Sequence, residues 1–320
     1  MKWPIEIADV EAAAARLAPH LKPTALRSYA PLDAEVGGGI RLFVKHENHQ
    51  PTQSFKVRNA LSVMTRLDDA ARQRGVIAAT RGNHGAGLAW AGQKLGIPVT
   101  IVVPHGNSSE KNTAMRGLGA ELIEHGKDYD EALAWSLELE KERDLRLVHS
   151  TNDADVIAGA ATLTLEILAE QELDALVIAV GGGSQAVGAL TVARTRAPAL
   201  QVFAVQAEGA SAIHDSWHAH TPLKKPSADT FADGLATRST YEMTFPALRA
   251  GLKYFTTVTD DEIAEALRVL LSTTHNLAEG AGAAGLAGVF KLRDFLRGMR
   301  VGIVLSGANI DLATLRRVLG

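Results

Sequence analysis

No cysteine occurs among the 320 residues, so disulfides, thiolate metal sites and a cysteine nucleophile are all excluded. Basic residues are not in excess either: 33 Lys and Arg stand against 36 Asp and Glu, a formal net charge of -3 with a pI near 6.4. That balance supplies no positive footprint for nucleic acid and no polybasic membrane patch, which leaves small-molecule chemistry as the default. No run of 18 apolar residues occurs, and the opening stretch Met1 to Ile7 lacks the apolar centre of a signal peptide. A cytoplasmic location, with no membrane and no nucleic-acid partner, is the expectation. The length favours two modest domains.

What the chain does have is alternation. Short β-branched runs take turns with helix-period segments, the pattern of parallel sheets covered by helices. Gly75 to Thr80, Pro98 to Val103, Glu121 to Glu124 and Leu145 to Val148 read as strands, separated by helices over His84 to Leu95, Ser109 to Leu118 and Tyr129 to Arg143. A second series runs through the helix Ala158 to Gln171, the strand Ala175 to Val180, the helix Ser184 to Arg194 and the strand Gln201 to Gln206. Ala210 to Arg238 then loses all period and is too long for an ordinary connection, so it reads as a functional or capping segment. Order returns with the helix Asp260 to Thr273, a small-residue helix around Ala281 to Phe290 and the strand Val301 to Leu305.

The chemistry starts from Lys56, in Ser54-Phe-Lys-Val-Arg-Asn-Ala60, at the start of a predicted helix over Phe55 to Leu67. A lone lysine is usually a solvated helix residue. To bond an aldehyde covalently its amine must be desolvated and deprotonated, which calls for a shaped site. Three loops suggest one. Gly181-Gly-Gly-Ser-Gln185 joins a strand to a helix, where glycine amides and the helix N-terminus suit a phosphate. Ser184 and Gln185 add side-chain donors. A tight turn is the plain alternative, and a dinucleotide site is a rival, because Glu208 follows at about the ribose-acid spacing. The glycines are contiguous, however, with the next only at Gly188, so the loop is not GxGxxG. Thr80-Arg-Gly-Asn-His-Gly85 also ends a strand and starts a helix, so Asn83 and nearby amides suit a phenolate or carboxylate, unless Asn83 merely caps the helix. In Leu305-Ser-Gly-Ala-Asn-Ile-Asp311, Ser306 is placed either as partner to a ring nitrogen or as a turn residue.

In this order and at these boundaries the segments Ser54 to Arg58, Arg81 to His84, Gly181 to Ser184 and Ser306 to Asn309 resemble the fold type II pyridoxal 5'-phosphate enzymes. The resemblance is to the serine/threonine dehydratase (threonine ammonia-lyase) and serine racemase family, and it covers nearly the whole chain. It implies an α/β fold like that of the tryptophan synthase β chain, two open, mostly parallel twisted sheets covered by helices. A large cofactor domain of residues 1–70 and 150–320 would surround a small mobile domain of 71–149, commonly in a homodimer. It further implies that Lys56 carries the cofactor beside Phe55 and that Asn83 bonds the ring hydroxyl. Gly181, Gly182, Gly183 and Ser184 would hold the phosphate, Ser306 would face the pyridine nitrogen, and Glu279 stands where the family has an acid near the cofactor. Ser54, Thr80, Arg81, Gly82 and His84 fall at the substrate side. The reaction implied is β-elimination from a β-hydroxy amino acid such as threonine, serine or a 3-hydroxyaspartate, with Lys56 as general base, giving a 2-oxo acid and ammonia. A neutral serine at the ring nitrogen makes a weaker electron sink than a carboxylate, which suits elimination.

The departures concern the substrate. Arg81 stands where the racemases have a serine that acts as second base, which disfavours racemisation. A guanidinium is a poor base and a good carboxylate ligand, so Arg81 is expected either to bind a substrate carboxylate or to form a structural salt bridge. Arg238 is a second candidate. Glu208 aligns with an acid that helps hold a divalent cation in several relatives, but His214, beside Asp215, replaces the other carboxylate, a change that weakens Ca²⁺ or Mg²⁺ binding. His214 and His218 are four apart without the glutamate of a zinc-hydrolase motif, and they read as loop histidines. β-Replacement and racemisation remain as alternative chemistries, a nicotinamide-dependent oxidoreductase as a different enzyme class, and a metal hydrolase or non-catalytic binder as a third.

Overall fold

A computed structural model describes residues 3–320. Among the described residues ten strands form two sheets: β1 (Leu26–Ser28), β2 (Arg41–His46), β3 (Val76–Ala79), β4 (Val99–Val103), β5 (Glu121–Glu124), β6 (Arg146–Leu147), β7 (Ala175–Ala179), β8 (Gln201–Ala207), β9 (Tyr254–Val258) and β10 (Arg300–Leu305). The larger sheet has the order β1-β2-β10-β7-β8-β9 and is parallel except for β1, while the smaller, β5-β4-β3-β6, is parallel throughout. The fold is therefore the α/β arrangement of two mostly parallel sheets expected from the alternation.

Parallel strands are covered on both faces and so carry continuous apolar runs. β3, Val-Ile-Ala-Ala, and β4, Val-Thr-Ile-Val-Val, are buried at every residue. In β7 the side chains divide by the period of two: Leu176 and Ile178 pack with the helices Ala154–Glu170 and Ser184–Arg196, and Ala175 and Val177 with Asp260–Thr274 and Gly280–Lys291. The helix Lys56–Met64 buries Val57, Leu61 and Met64 in the same cluster as Val76, Ile101 and Leu88, so the segment just after the lysine packs with the smaller sheet.

Several elements differ from the sequence expectation. The helix Ala154–Glu170 begins a turn before Ala158 because Asp153 caps it, accepting from the amides of Asp155 and Val156. The helix Ile7–Leu17 is opened by a capping box between Glu6 and Asp9. β9, for which the sequence pattern assigns no strand, forms an edge of the larger sheet beside β8. Within the aperiodic stretch, Ala212–Ala219 is helical, so His214 and His218 share a helix rather than a loop, with ring centroids 4.4 Å apart.

Candidate functional site

The turns after β3, β7 and β10 all leave the carboxyl ends of parallel strands, where open α/β sheets receive ligands. Together with Lys56 they line one cavity of about 380 Å³. Lys56 is the first residue of its helix, and its amide faces the Ser54 hydroxyl, 3.4 Å away. The chain before it is fastened to the third loop: the Phe55 amide donates to Ser306 O (3.1 Å), the Ala308 amide to Gln53 O (2.9 Å), and Ser54 pairs with Gly307. The lysine ammonium lies 5.0 Å from the Phe55 ring centroid and donates to Ser150 O at 3.2 Å. Burial lowers its pKa to about 8, against an opposing pull from the Glu279 carboxylate.

Asn83 is the first residue of the helix Asn83–Leu95 and makes no cap. Its side chain turns into the cavity, donating to Glu279 Oε1 at 2.6 Å and accepting from Asn309 Nδ2 at 2.7 Å. One amide hydrogen is left for a ligand. Glu279 is buried, and burial raises its pKa against the pull of Lys111 and Asn83. Thr80 Oγ1 accepts from the Gly82 amide at 3.0 Å and so shapes the turn. His84 is buried with Nε2 2.9 Å from Val148 O, and its pKa is held down to about 3 by burial and then by the Lys56 charge. A neutral ring donating to Val148 from Nε2 presents a bare Nδ1, an acceptor that offers nothing to a carboxylate.

The glycine loop is a cradle that side chains would fill. A Cβ at Gly181 would lie 2.1 Å from Gly234 O and one at Gly182 2.1 Å from Thr151 Oγ1, while Gly183 has φ +98°. The loop's carbonyls are already taken, Gly182 O by Thr244 Oγ1 at 2.8 Å and Gly181 O by Thr237 Oγ1 at 3.3 Å, and the three glycines line the cavity. Ser184 begins the next helix. Gln185, also at the cavity, has its Nε2 buried without a partner, a donor awaiting an acceptor. Ser306 is buried at the end of β10 and faces the same space.

Arg81 lies exposed at the rim and, among the described residues, forms no ion pair or hydrogen bond. Arg238, by contrast, is bound by Asp130 and by Asp128 at 3.3 Å. The expected cation site does not assemble. Glu208 is exposed and away from the cavity, His214 Nδ1 is 2.8 Å from Asp215 Oδ1, and Lys225 pairs with the same Asp215 at 2.5 Å. No group of three or more His, Cys, Asp or Glu among the described residues is placed to hold a metal. An ammonium already neutralises the acid, so these residues do not fit a divalent ion. The position of Glu208 also removes the acid that the dinucleotide reading required. Sequence reasoning missed Lys111, Asp233, Ser150, Thr151 and Tyr241, all at the cavity. None sits in a motif; Asp233 and Lys111 meet only because the fold brings together residues 122 apart.

The chain matches the family described as "Pyridoxal-phosphate dependent enzyme" over residues 17–307, and it belongs to that family. Its cofactor is pyridoxal phosphate. Among curated relatives it is 36% identical to an L-threonine ammonia-lyase of Thermotoga maritima, over 98% of this chain and 78% of the relative. It is also 36% identical to the biosynthetic L-threonine dehydratase of Salmonella typhimurium, with 87% of this chain covered but only 54% of that longer enzyme. Among solved structures it superposes on a pyridoxal 5'-phosphate-dependent aspartate racemase with a TM-score of 0.93 at 30% identity, covering 98% of this chain and 99% of the other.

Proposed function

We propose that this enzyme eliminates water from a β-hydroxy amino acid, releasing a 2-oxo acid and ammonia. The observation that carries the reading is Lys56, an amine shifted to about 8 and set in one cavity with a glycine cradle and an unpartnered Gln185 donor. The residues present fit pyridoxal phosphate. Lys56 would hold its aldehyde carbon, Gly181 to Ser184 with Gln185 its phosphate, Asn83 its ring oxygen and Ser306 its ring nitrogen. When bound, the group supplies an electron sink for the carbanion left at the substrate's α-carbon. The names of the two threonine-cleaving relatives support elimination.

The remaining steps belong to the chain. Lys56, released from the aldehyde by the incoming substrate amine, accepts the α-proton at Nζ. The Cβ–O bond breaks, and the hydroxyl leaves as water with the proton that Lys56 Nζ had accepted. The enamine so formed takes up water to give the 2-oxo acid and ammonia. The first turn of the helix Asn83–Leu95 leaves amides without intrahelical acceptors, and these suit the α-carboxylate. Arg81, without an acid partner among the described residues, is the adjoining carboxylate ligand in this reading. Racemisation lacks its second base, because a guanidinium does not give up its proton.

Two results follow directly. Loading of the cofactor-free protein should speed up about tenfold per pH unit as pH rises towards 8 and level off above it, because the neutral amine is the reactive form and its fraction at pH 7 is about 10% for a pKa near 8. Stopped-flow absorbance at several pH values measures this; a rate still climbing at pH 10 would mean an unshifted lysine. Arg81→Ala should raise KM by about 10- to 100-fold, the value of a lost charged hydrogen bond of roughly 1.5–3 kcal/mol. The reaction itself is tested by recording the visible spectrum with L-serine, L-threonine and the 3-hydroxyaspartate isomers while assaying products. Equal yields of 2-oxo acid and ammonia from at least one of them are expected. Their absence from all of them would end the elimination reading.

A further inference from the structure

Lys111 projects from the helix Ser109–Gly117 across the turn that carries Arg81, and it lies against Gly82. A Cβ placed on Gly82 would meet Lys111 Cδ at 3.0 Å, with Nζ at 3.8 Å, so the glycine leaves the lysine stem its path along the cavity wall. The side chain is only 15% exposed. Its charge is the strongest influence holding down the Glu279 carboxyl against burial, and both residues line the cavity. Across the gap Asp233, 47% exposed, reaches over from the segment after β8 and pairs with Lys111 Nζ. A segment distant in sequence thus delivers a carboxylate to this cation at the wall of the same cavity.

We propose that Lys111 determines specificity at this site, giving up Asp233 for the side-chain carboxylate of a dicarboxylic substrate, an amino acid with a second carboxylate on its β-carbon. This rests on the elimination reading for the reaction but not for the binding. The helix amides and Arg81 hold the α-carboxylate, and Lys111, lying against Gly82, supplies a second cation, one for each acid group. Asp233 keeps Lys111 paired while the site is empty, so a neutral side chain has no charge to exchange and leaves the pair intact. Asp233 is half exposed, so water takes up its carboxylate when it is displaced.

Malate and lactate differ only in the second carboxylate, and neither has an amine to react with the cofactor. Calorimetric titration of the holoenzyme with each is expected to show malate binding about tenfold tighter or more. Lys111→Met should abolish that preference, Lys111→Arg should retain part of it, and Asp233→Asn should enlarge it by removing the competing acid. Equal affinities in the unaltered enzyme would overturn the assignment. So would a preference that survives in Lys111→Met or shrinks in Asp233→Asn. The product assay separates this from the reaction: if no β-hydroxy amino acid yields 2-oxo acid while the malate preference follows Lys111, elimination fails and the carboxylate site stands.

Discussion

Lys56→Ala should lose at least about 10⁴-fold in kcat, the upper range for one general acid–base group, because the same amine also serves as the covalent attachment. Lys56→Arg should be no better, since a guanidinium remains charged throughout the working pH range. The fold is expected to survive either change. Lys56 donates one hydrogen bond, to Ser150 O, and burial works against its charge. Circular dichroism matching that of the unaltered protein, together with turnover below detection, would meet this expectation. Turnover within tenfold of the starting enzyme would place the base elsewhere.

The second large effect concerns stability. Two residues after the lysine, Arg58 is 2% exposed and Glu47 0%, and they form a bidentate pair with Nε–Oε2 2.7 Å and Nη2–Oε1 2.8 Å. Arg58 also grips Glu166 with two further bonds of 2.7 and 2.8 Å, and Lys45, fully buried, joins Glu166 at 2.7 Å. Burial pushes the Glu47 carboxyl up, but the Arg58 charge and hydrogen bonds outweigh it and hold it below the usual carboxylate range. Arg58→Ala leaves an ionised Glu47 in the interior without its partner, which costs about 3–5 kcal/mol. That is a large part of a total stability of about 5–15 kcal/mol. A marked fall in the urea midpoint is expected, with disturbed cofactor loading because the network anchors the helix that begins at Lys56. A midpoint within experimental error of the starting protein would show that the charges find other partners.

The site was legible where its chemistry demands particular residues at the junctions of elements. A phosphate cradle needs glycines between a strand and a helix, and Gly181 to Gly183 stand there, with no room for side chains at 181 and 182. Lys56 was legible by its place in a motif, but its lowered pKa comes from burial that only the fold supplies. Arg58 belonged to the same motif, yet nothing in the sequence revealed its buried pairing with Glu47 and Glu166. Arg81 was ambiguous until the structure showed it without an acid, whereas Arg238 proved to be occupied by Asp128 and Asp130. Lys111 and Asp233 carried no local signal, because an ion pair across a cavity has no period or spacing to read. The Asp215 pairing was hidden for a related reason: Lys225 reaches it from the aperiodic segment, whose pattern carries no register. The same segment hid the helix Ala212–Ala219, in which Ser216 Oγ bonds back to Ala212 O at 2.6 Å, a local bond that stands outside hydrophobic periodicity.

Every step of the account passes through one nitrogen. The most direct measurement is to reduce the cofactor-loaded enzyme with borohydride, digest it and locate the pyridoxyl group by mass spectrometry. The account predicts a single modified peptide carrying the group on Lys56, with loss of the visible band. A group fixed to Lys111, Lys45 or another lysine, or no modified peptide from a coloured protein, would contradict it.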